Sequence, residues 1–169
     1  MIEFEKLTTY KKVPNQENGT CFACGQNHST GLHMKFYTDE TSVFSELNLP
    51  HTFAGWSRLI HGGVTATILD ETLAWTVIYL RQSFILTKSL TIDYLRPLFV
   101  EEDIFSIGNI LSQVSDKELL VEATILNSKK EICAKASGKI VMFSAEQMRK
   151  KDLFPREFLE HFESSVFGK

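Results

Sequence analysis

Residues 59–81 read LIHGGVTATILDETLAWTVIYLR, and this stretch limits the fold more than any other part of the chain. Placed 100° apart on a helical wheel, Val64, Ile68, Leu69, Leu73, Trp75, Val77, Ile78 and Leu80 fall on nearly every side. A helix from about Gly62 to Arg81 with that pattern has to be wrapped, because docking through one stripe would leave apolar side chains in water.

The rest of the chain supplies the wrapping. After the helix, strand composition returns four times, in ILTKSLTIDYL, DIFSIGNILSQV, ELLVEATILNS and EICAKASGKIVMFS. Leu119, Val121, Ala123 and Ile125 alternate with Leu120, Glu122, Thr124 and Leu126, as in a strand with two distinct faces. Turn formers at 115–117 and 127–130 separate these runs, and Arg96-Pro97 closes the first, since proline cannot donate into a ladder. Before the helix, LHMKFYT and SVFSELNLP flank Asp39-Glu40-Thr41 as a hairpin. One long helix against an antiparallel meander of about six strands is an α+β layout. Residues 1–30 read as an N-terminal arm or loop, 31–143 as the domain, and 144–169 as a helical tail broken at Phe154-Pro155. The tail's stripe of Phe158, Leu159, Phe162 and Val166 is expected to pack on the sheet or on a partner.

Composition narrows the function. With 169 residues, 23% of them charged and a formal net charge of −3, the chain suits a single core and has no basic footprint for nucleic acid. No apolar run reaches the ~18 residues of a membrane span, and MIEFEK lacks the features of a signal peptide, so a cytoplasmic protein is expected. Three cysteines argue against a disulfide framework. In CFACGQNH, Cys21, Cys24 and His28 have the spacing of part of a zinc site, but no second ligand pair follows, so the expectation is no metal and a turn with two free thiols.

Two carboxylates sit side by side in the buried helix. Asp70 shares its stripe with Gly63, Ala66, Ala74 and Val77, whereas Glu71 lies among Val64, Thr67, Ile68, Trp75 and Ile78. A carboxylate against a packed wall costs several kcal/mol or keeps its proton, so Asp70 needs a partner or a wet cleft. Arg58, Lys88 and Arg96 are the cations able to pair with it for architectural reasons alone. At the other end of the helix, His61-Gly62-Gly63 leaves first-turn N–H groups without intrahelical acceptors, and two residues lacking Cβ let a ligand oxygen approach. That is an oxyanion site at the positive end of the helix dipole. Gly62 and Asp70 are eight residues apart, about 12 Å along the axis, yet a reacting carbonyl must lie about 3 Å from both its donor and its attacking group. Two copies packed with antiparallel helices bring Gly62 of one against Asp70 of the other, so a homodimer with two shared sites is expected.

Other chemistries fit poorly. GWSRL misses the G-x-S-x-G elbow at its last position, no activating base is evident for Cys24, and neither a Walker-type nor a dinucleotide-type glycine loop occurs.

The combination FAGWSRLIHGGVTATILDE, with CFACG…TGLHMKFY upstream and SLTIDYLRP downstream, resembles the hotdog-fold thioesterases of the phenylacetate-degradation (PaaI-like) type over about residues 21–143. The resemblance implies a long helix wrapped by a curved antiparallel sheet, dimers or tetramers built as dimers of dimers, no cofactor, and hydrolysis of acyl-CoA thioesters. It places the catalytic carboxylate on Asp70, the carbonyl-polarising N–H on Gly62 and the motif histidine on His61. Thr87 follows as a substrate-binding position, a strand hydroxyl that helps to hold water in some members; Gly63 and Glu71 join that set on position alone, Glu71 for support in orientation or cross-dimer hydrogen bonding. Some members carry an Asn six residues before the histidine, where this chain has Gly55.

Two further readings remain at this point: a non-catalytic acyl-CoA-binding or regulatory hotdog protein, and a hotdog dehydratase using a His and a carboxylate. Trp56, Trp75, Phe84 and Phe99 read equally as core or as pocket wall.

Overall fold

The structure is a computed structural model that describes residue 7, residues 9–15 and residues 19–168. The chain runs β1 (Lys11–Lys12), β2 (Phe36–Thr38), β3 (Val43–Asn48), a 3-10 turn (His51–Phe53), α1 (Gly62–Arg81), β4 (Phe84–Tyr94), β5 (Asp103–Ser115), β6 (Glu118–Asn127), β7 (Ile132–Phe143), α2 (Ala145–Lys151) and α3 (Arg156–Phe162), and ends in a π-helical turn (Glu163–Phe167). All strand pairs are antiparallel, and the sheet order is β1-β2-β3-β5-β6-β7-β4. Because β4 crosses over to pair with β7, it forms one edge of the sheet. Among the described residues there are seven strands rather than about six, since the arm contributes the two-residue β1. Residues 1–6, 8 and 16–18 of the expected arm lie outside the described residues.

The long helix packs against β3, β4, β5, β6 and β7. Ile68, Leu69, Leu73 and Val77 are fully buried against Leu119, Val121, Ala123, Ile125 and Ile140, the inward set of the alternating strands. Its buried side also carries Thr65, Thr72 and Thr76. Thr72 Oγ1 donates to the Ile68 carbonyl at 2.7 Å and lies 2.9 Å from Ser106 Oγ on β5, and Thr76 Oγ1 donates to the Thr72 carbonyl at 2.6 Å, so these two buried hydroxyls are satisfied locally. Gly108 on β5 lets the helix come this close: a Cβ there would meet the Thr76 hydroxyl and lie 3.0 Å from the Thr72 carbonyl oxygen. Gln82, in the left-handed region at φ 48°, ends the helix and turns the chain into β4.

The expected strand over LHMKFYT is shorter than its pattern. His33 has φ 52°, and Leu32 and Met34 donate their N–H groups to the Phe22 and Ala23 carbonyls of the cysteine turn, so ladder pairing begins only at Phe36. In the tail, Pro155 caps α3, and Leu159 and Val166 are buried. Phe162 bridges the tail to the helix and sheet, its ring centroid 6.4 Å from Trp75 and 5.3 Å from Phe84. Leu159, Phe162 and Val166 of the stripe therefore pack on their own chain, while Phe158 is exposed.

Candidate active site and its neighbourhood

His61 caps the long helix through its ring. Its Nδ1 accepts a hydrogen bond from the Gly63 N–H at 2.9 Å, and its carbonyl accepts from Val64 and Thr65. An accepting Nδ1 carries no proton, so in this arrangement the ring is the Nε2–H tautomer. This cap divides the glycine pair. The Gly63 N–H is taken by His61, and a Cβ on Gly63 would press on Nδ1 at 3.1 Å. The Gly62 N–H has no partner among the described residues, and the atoms nearest to a Cβ added there belong to Tyr94, at 3.8 Å. Tyr94, at the end of β4, donates its hydroxyl to the Gly62 carbonyl at 3.0 Å and fixes the turn from below. Gly62 and Tyr94 border a cavity of about 330 Å³ that also takes in Arg96 and Pro97.

Asp70 is half-buried two turns further along. Thr87 Oγ1 donates to Asp70 Oδ1 at 2.9 Å. The register of β4 against β7 shifts between Thr87 and Ser89, with Lys88 as the extra residue. Such a bulge re-aims the side chains beside it, and here one of them is the hydroxyl that meets Asp70. None of the cations able to neutralise Asp70 does so. Lys88 pairs with Glu118 at 2.7 Å, Arg58 with Glu102 at 3.3 Å, and Arg96 donates to the Ile132 carbonyl at 2.7 Å.

Glu71 points elsewhere. Trp75 Nε1 donates to its Oε1 at 2.9 Å, and Cys21 Sγ lies 3.8 Å from the same oxygen. Burial pushes the Glu71 carboxyl up to about 7, the nearby Cys21 charge adds to the shift, and hydrogen bonds from Cys24 and Trp75 oppose it. The Cys21 thiol is pulled below its ordinary value, first by a hydrogen bond with the Cys24 side chain, whereas the same bond and burial push Cys24 up. The structure thus brings His61, Gly62 and Gly63 together at one end of the helix and Asp70 with Thr87 at its middle. It places Glu71 with the cysteine turn, a grouping that the wheel, which put Glu71 beside Trp75 and Ile78, only half anticipated. His28 takes no part in that grouping: its Nδ1 accepts from the Thr30 N–H, and its ring packs edge-on to Phe22. Trp75 and Phe84 belong to the core, while Trp56 is 84% exposed at the tip of the loop before the helix.

A family model described as the thioesterase-like superfamily matches residues 57–162, which hold the helix, strands β4–β7 and α3. The chain belongs to this superfamily. Its hotdog fold is shared with solved members. The E. coli PaaI protein of the phenylacetic acid degradation operon is 18% identical, with a TM-score of 0.61 over 67% of this chain and 81% of that one. A hypothetical thioesterase from Streptococcus pneumoniae, solved with coenzyme A, is 18% identical, with a TM-score of 0.58 over 62% and 82% of the two chains. That streptococcal protein has also been solved as mutants with an Asp or a Thr replaced by Ala. The smu.793 protein of Streptococcus mutans, bound to acetyl CoA, is 17% identical, with a TM-score of 0.61 over 71% and 98%. No curated protein sequence matches the chain. Among the described residues, no helix of this superfamily member is long and apolar enough to cross a membrane.

Proposed function

We propose that this chain is an acyl-CoA thioesterase that hydrolyses the thioester to a free acid and CoA at two sites shared across a homodimer. The observation that carries the reading is Asp70: a half-buried carboxylate with a hydroxyl rather than a cation as its partner, which leaves Oδ2 available for a proton. The coenzyme A and acetyl CoA seen on the streptococcal relatives support the substrate class. The mutants of an Asp and a Thr in one of them support the Asp70–Thr87 pair.

The chemistry follows from the two ends of the site. The free Gly62 N–H, at the positive end of the helix, polarises the thioester carbonyl. His61 and Gly63 keep that N–H pointing outward, one by occupying the neighbouring donor and the other by leaving room for the ring. Water held at Asp70 attacks the carbonyl carbon while Oδ2 takes its proton, and the oxyanion forms against the Gly62 N–H. As the C–S bond breaks, the carboxyl returns the proton to the departing thiolate. Thr87 holds Oδ1 and thereby fixes which oxygen acts as base. Glu71 has a supporting role, holding the helix to the cysteine turn on the side away from Thr87.

One helix does not perform both halves, because Gly62 and Asp70 lie in the same uninterrupted α1 at about 1.5 Å per residue. A second copy completes the site. The face it would cover is available: on the edge strand β4, Tyr94 beside the first turn of the helix is 58% exposed, and Leu86, next to the Thr87 that meets Asp70, is 38% exposed.

The test is Asp70→Asn, assayed for CoA release from a panel of acyl-CoAs with a thiol reagent. Loss of turnover with retained dimer mass and acyl-CoA binding is expected. Turnover undiminished in the variant would overturn the assignment, and a wild-type protein that binds acyl-CoA without releasing thiol would make it a binding protein.

A further inference from the structure

The cysteine turn and Glu71 form a cluster that touches none of the reacting atoms in the proposed thioester hydrolysis. We propose that Cys21, Cys24 and Glu71 bind one divalent cation of the zinc class, with water in the fourth position, and that the ion fastens the turn to the middle of α1. The Sγ atoms of both cysteines and a carboxylate oxygen of Glu71 all lie within 4.8 Å of one another. In a tetrahedral zinc site, with ligand bonds of about 2.0–2.3 Å, neighbouring donors are roughly 3.5–3.8 Å apart. The 3.8 Å between Cys21 Sγ and Glu71 Oε1 already matches that edge, so closure on an ion needs only a small contraction.

The donor set is also the right kind. Two thiolates at C-x-x-C spacing with one carboxylate select zinc-like ions over magnesium or calcium, which prefer all-oxygen shells. A sequence count finds too few ligands because the third donor lies 50 residues beyond Cys21, on a different element.

The groups behind the donors are arranged to hold them. Trp75 Nε1 donates to Glu71 Oε1 at 2.9 Å and fixes its orientation. The Cys24 carbonyl accepts from Asn15 and Gln26, and Leu32 and Met34 pin the turn from outside. A cleft of about 510 Å³, with Thr20, His161 and Phe162 among its walls, opens onto all three donors and admits the ion and its water.

The experiment uses the full chain, purified with a thiol reductant and no chelator. Zinc content is read by elemental analysis, and cobalt substitution by its absorption spectrum. The expected result is one ion per chain and a near-ultraviolet thiolate-to-cobalt charge-transfer band. Both should vanish in Cys21→Ser/Cys24→Ser and persist in Cys133→Ser. In Glu71→Gln, affinity measured against a chromophoric chelator should fall about tenfold or more. No zinc retained and no cobalt band in the folded wild type would overturn the proposal, as would a band surviving in the double variant. Should the double variant fail to fold, the wild-type spectrum and the Glu71→Gln affinity decide. None of these readouts depends on thioester hydrolysis.

Discussion

Replacing Thr87 with Val tests how Asp70 is held. Valine keeps the β-branched shape that suits a strand and removes only the hydroxyl that donates to Asp70 Oδ1 at 2.9 Å. A hydrogen bond to a charged group contributes about 1.5–3 kcal/mol. Thr87 is exposed, so water competes for the carboxylate and the effect should sit near the lower end, about 1.5 kcal/mol. If the bond orients the base in the transition state, the loss appears as roughly a tenfold fall in kcat, since about 1.4 kcal/mol is one decade of rate. KM should change little, because the bond joins two enzyme groups and touches no substrate. The assay is steady-state CoA release on the best acyl-CoA of the panel, with Thr87→Ser recovering most of the rate. A kcat within twofold of wild type in a folded Thr87→Val would refute the holding role. A loss as deep as that of Asp70→Asn would also refute it, by making the hydroxyl more than a positioning group.

Gly108→Ala would force a Cβ against the Thr76 hydroxyl and to 3.0 Å from the Thr72 carbonyl. Overpacking of this kind costs about 1–3 kcal/mol, and at about 2–4 °C per kcal/mol the thermal midpoint should drop by roughly 2–12 °C in calorimetry; an unchanged midpoint would show that helix and sheet are not in such close contact. Asp39 accepts hydrogen bonds from the Ser42 N–H, the Thr41 hydroxyl and the Thr41 N–H at 2.7, 2.8 and 2.9 Å. Partial burial works against ionisation, but these three donors prevail and hold its carboxyl below the ordinary value. A depressed folded value stabilises the fold above the unfolded pKa and is lost as pH falls through the folded one. The urea-unfolding deficit of Asp39→Asn should therefore be largest near neutrality and shrink as the pH drops below about 3.9, and a deficit that does not vary with pH would contradict this.

The features legible in the sequence were those with a period or a local rule. Apolar residues around the whole wheel gave a wrapped helix ending at Arg81, and the alternation at 119–126 gave a strand with one core face. Fixed helix rise separated Gly62 from Asp70. What escaped were features set by contacts between distant segments. The pattern at 32–38 looks like a strand, yet His33 adopts positive φ because Leu32 and Met34 find their acceptors in the cysteine turn rather than in a neighbouring strand. Lys88 carries no sign of being a bulge, since nothing in TKS distinguishes an extra residue from a paired one. The burial of Thr72 and Thr76 has no signal along the helix, and Ser106 and Gly108 across the interface account for it. The division of labour between Gly62 and Gly63 follows from the direction of one imidazole ring, which no spacing encodes.

The bulge at Lys88 makes the length of β4 as significant as its composition. Side chains in a strand alternate between two faces, so removing one residue reverses every position beyond it. Leu90 and Ile92 pack against the core in the present register. Removing a residue elsewhere in β4 would turn them outward or break the alignment of Thr87 with Asp70, whereas removing Lys88 itself would leave Thr87 opposite Ile140 and Leu90 opposite Gly138 in a regular ladder. A relative without the extra residue would reach the same carboxylate from a regular ladder. A motif defined by a fixed count between the carboxylate and the strand hydroxyl would then pass over one of the two groups, even where both build the same hydrogen bond.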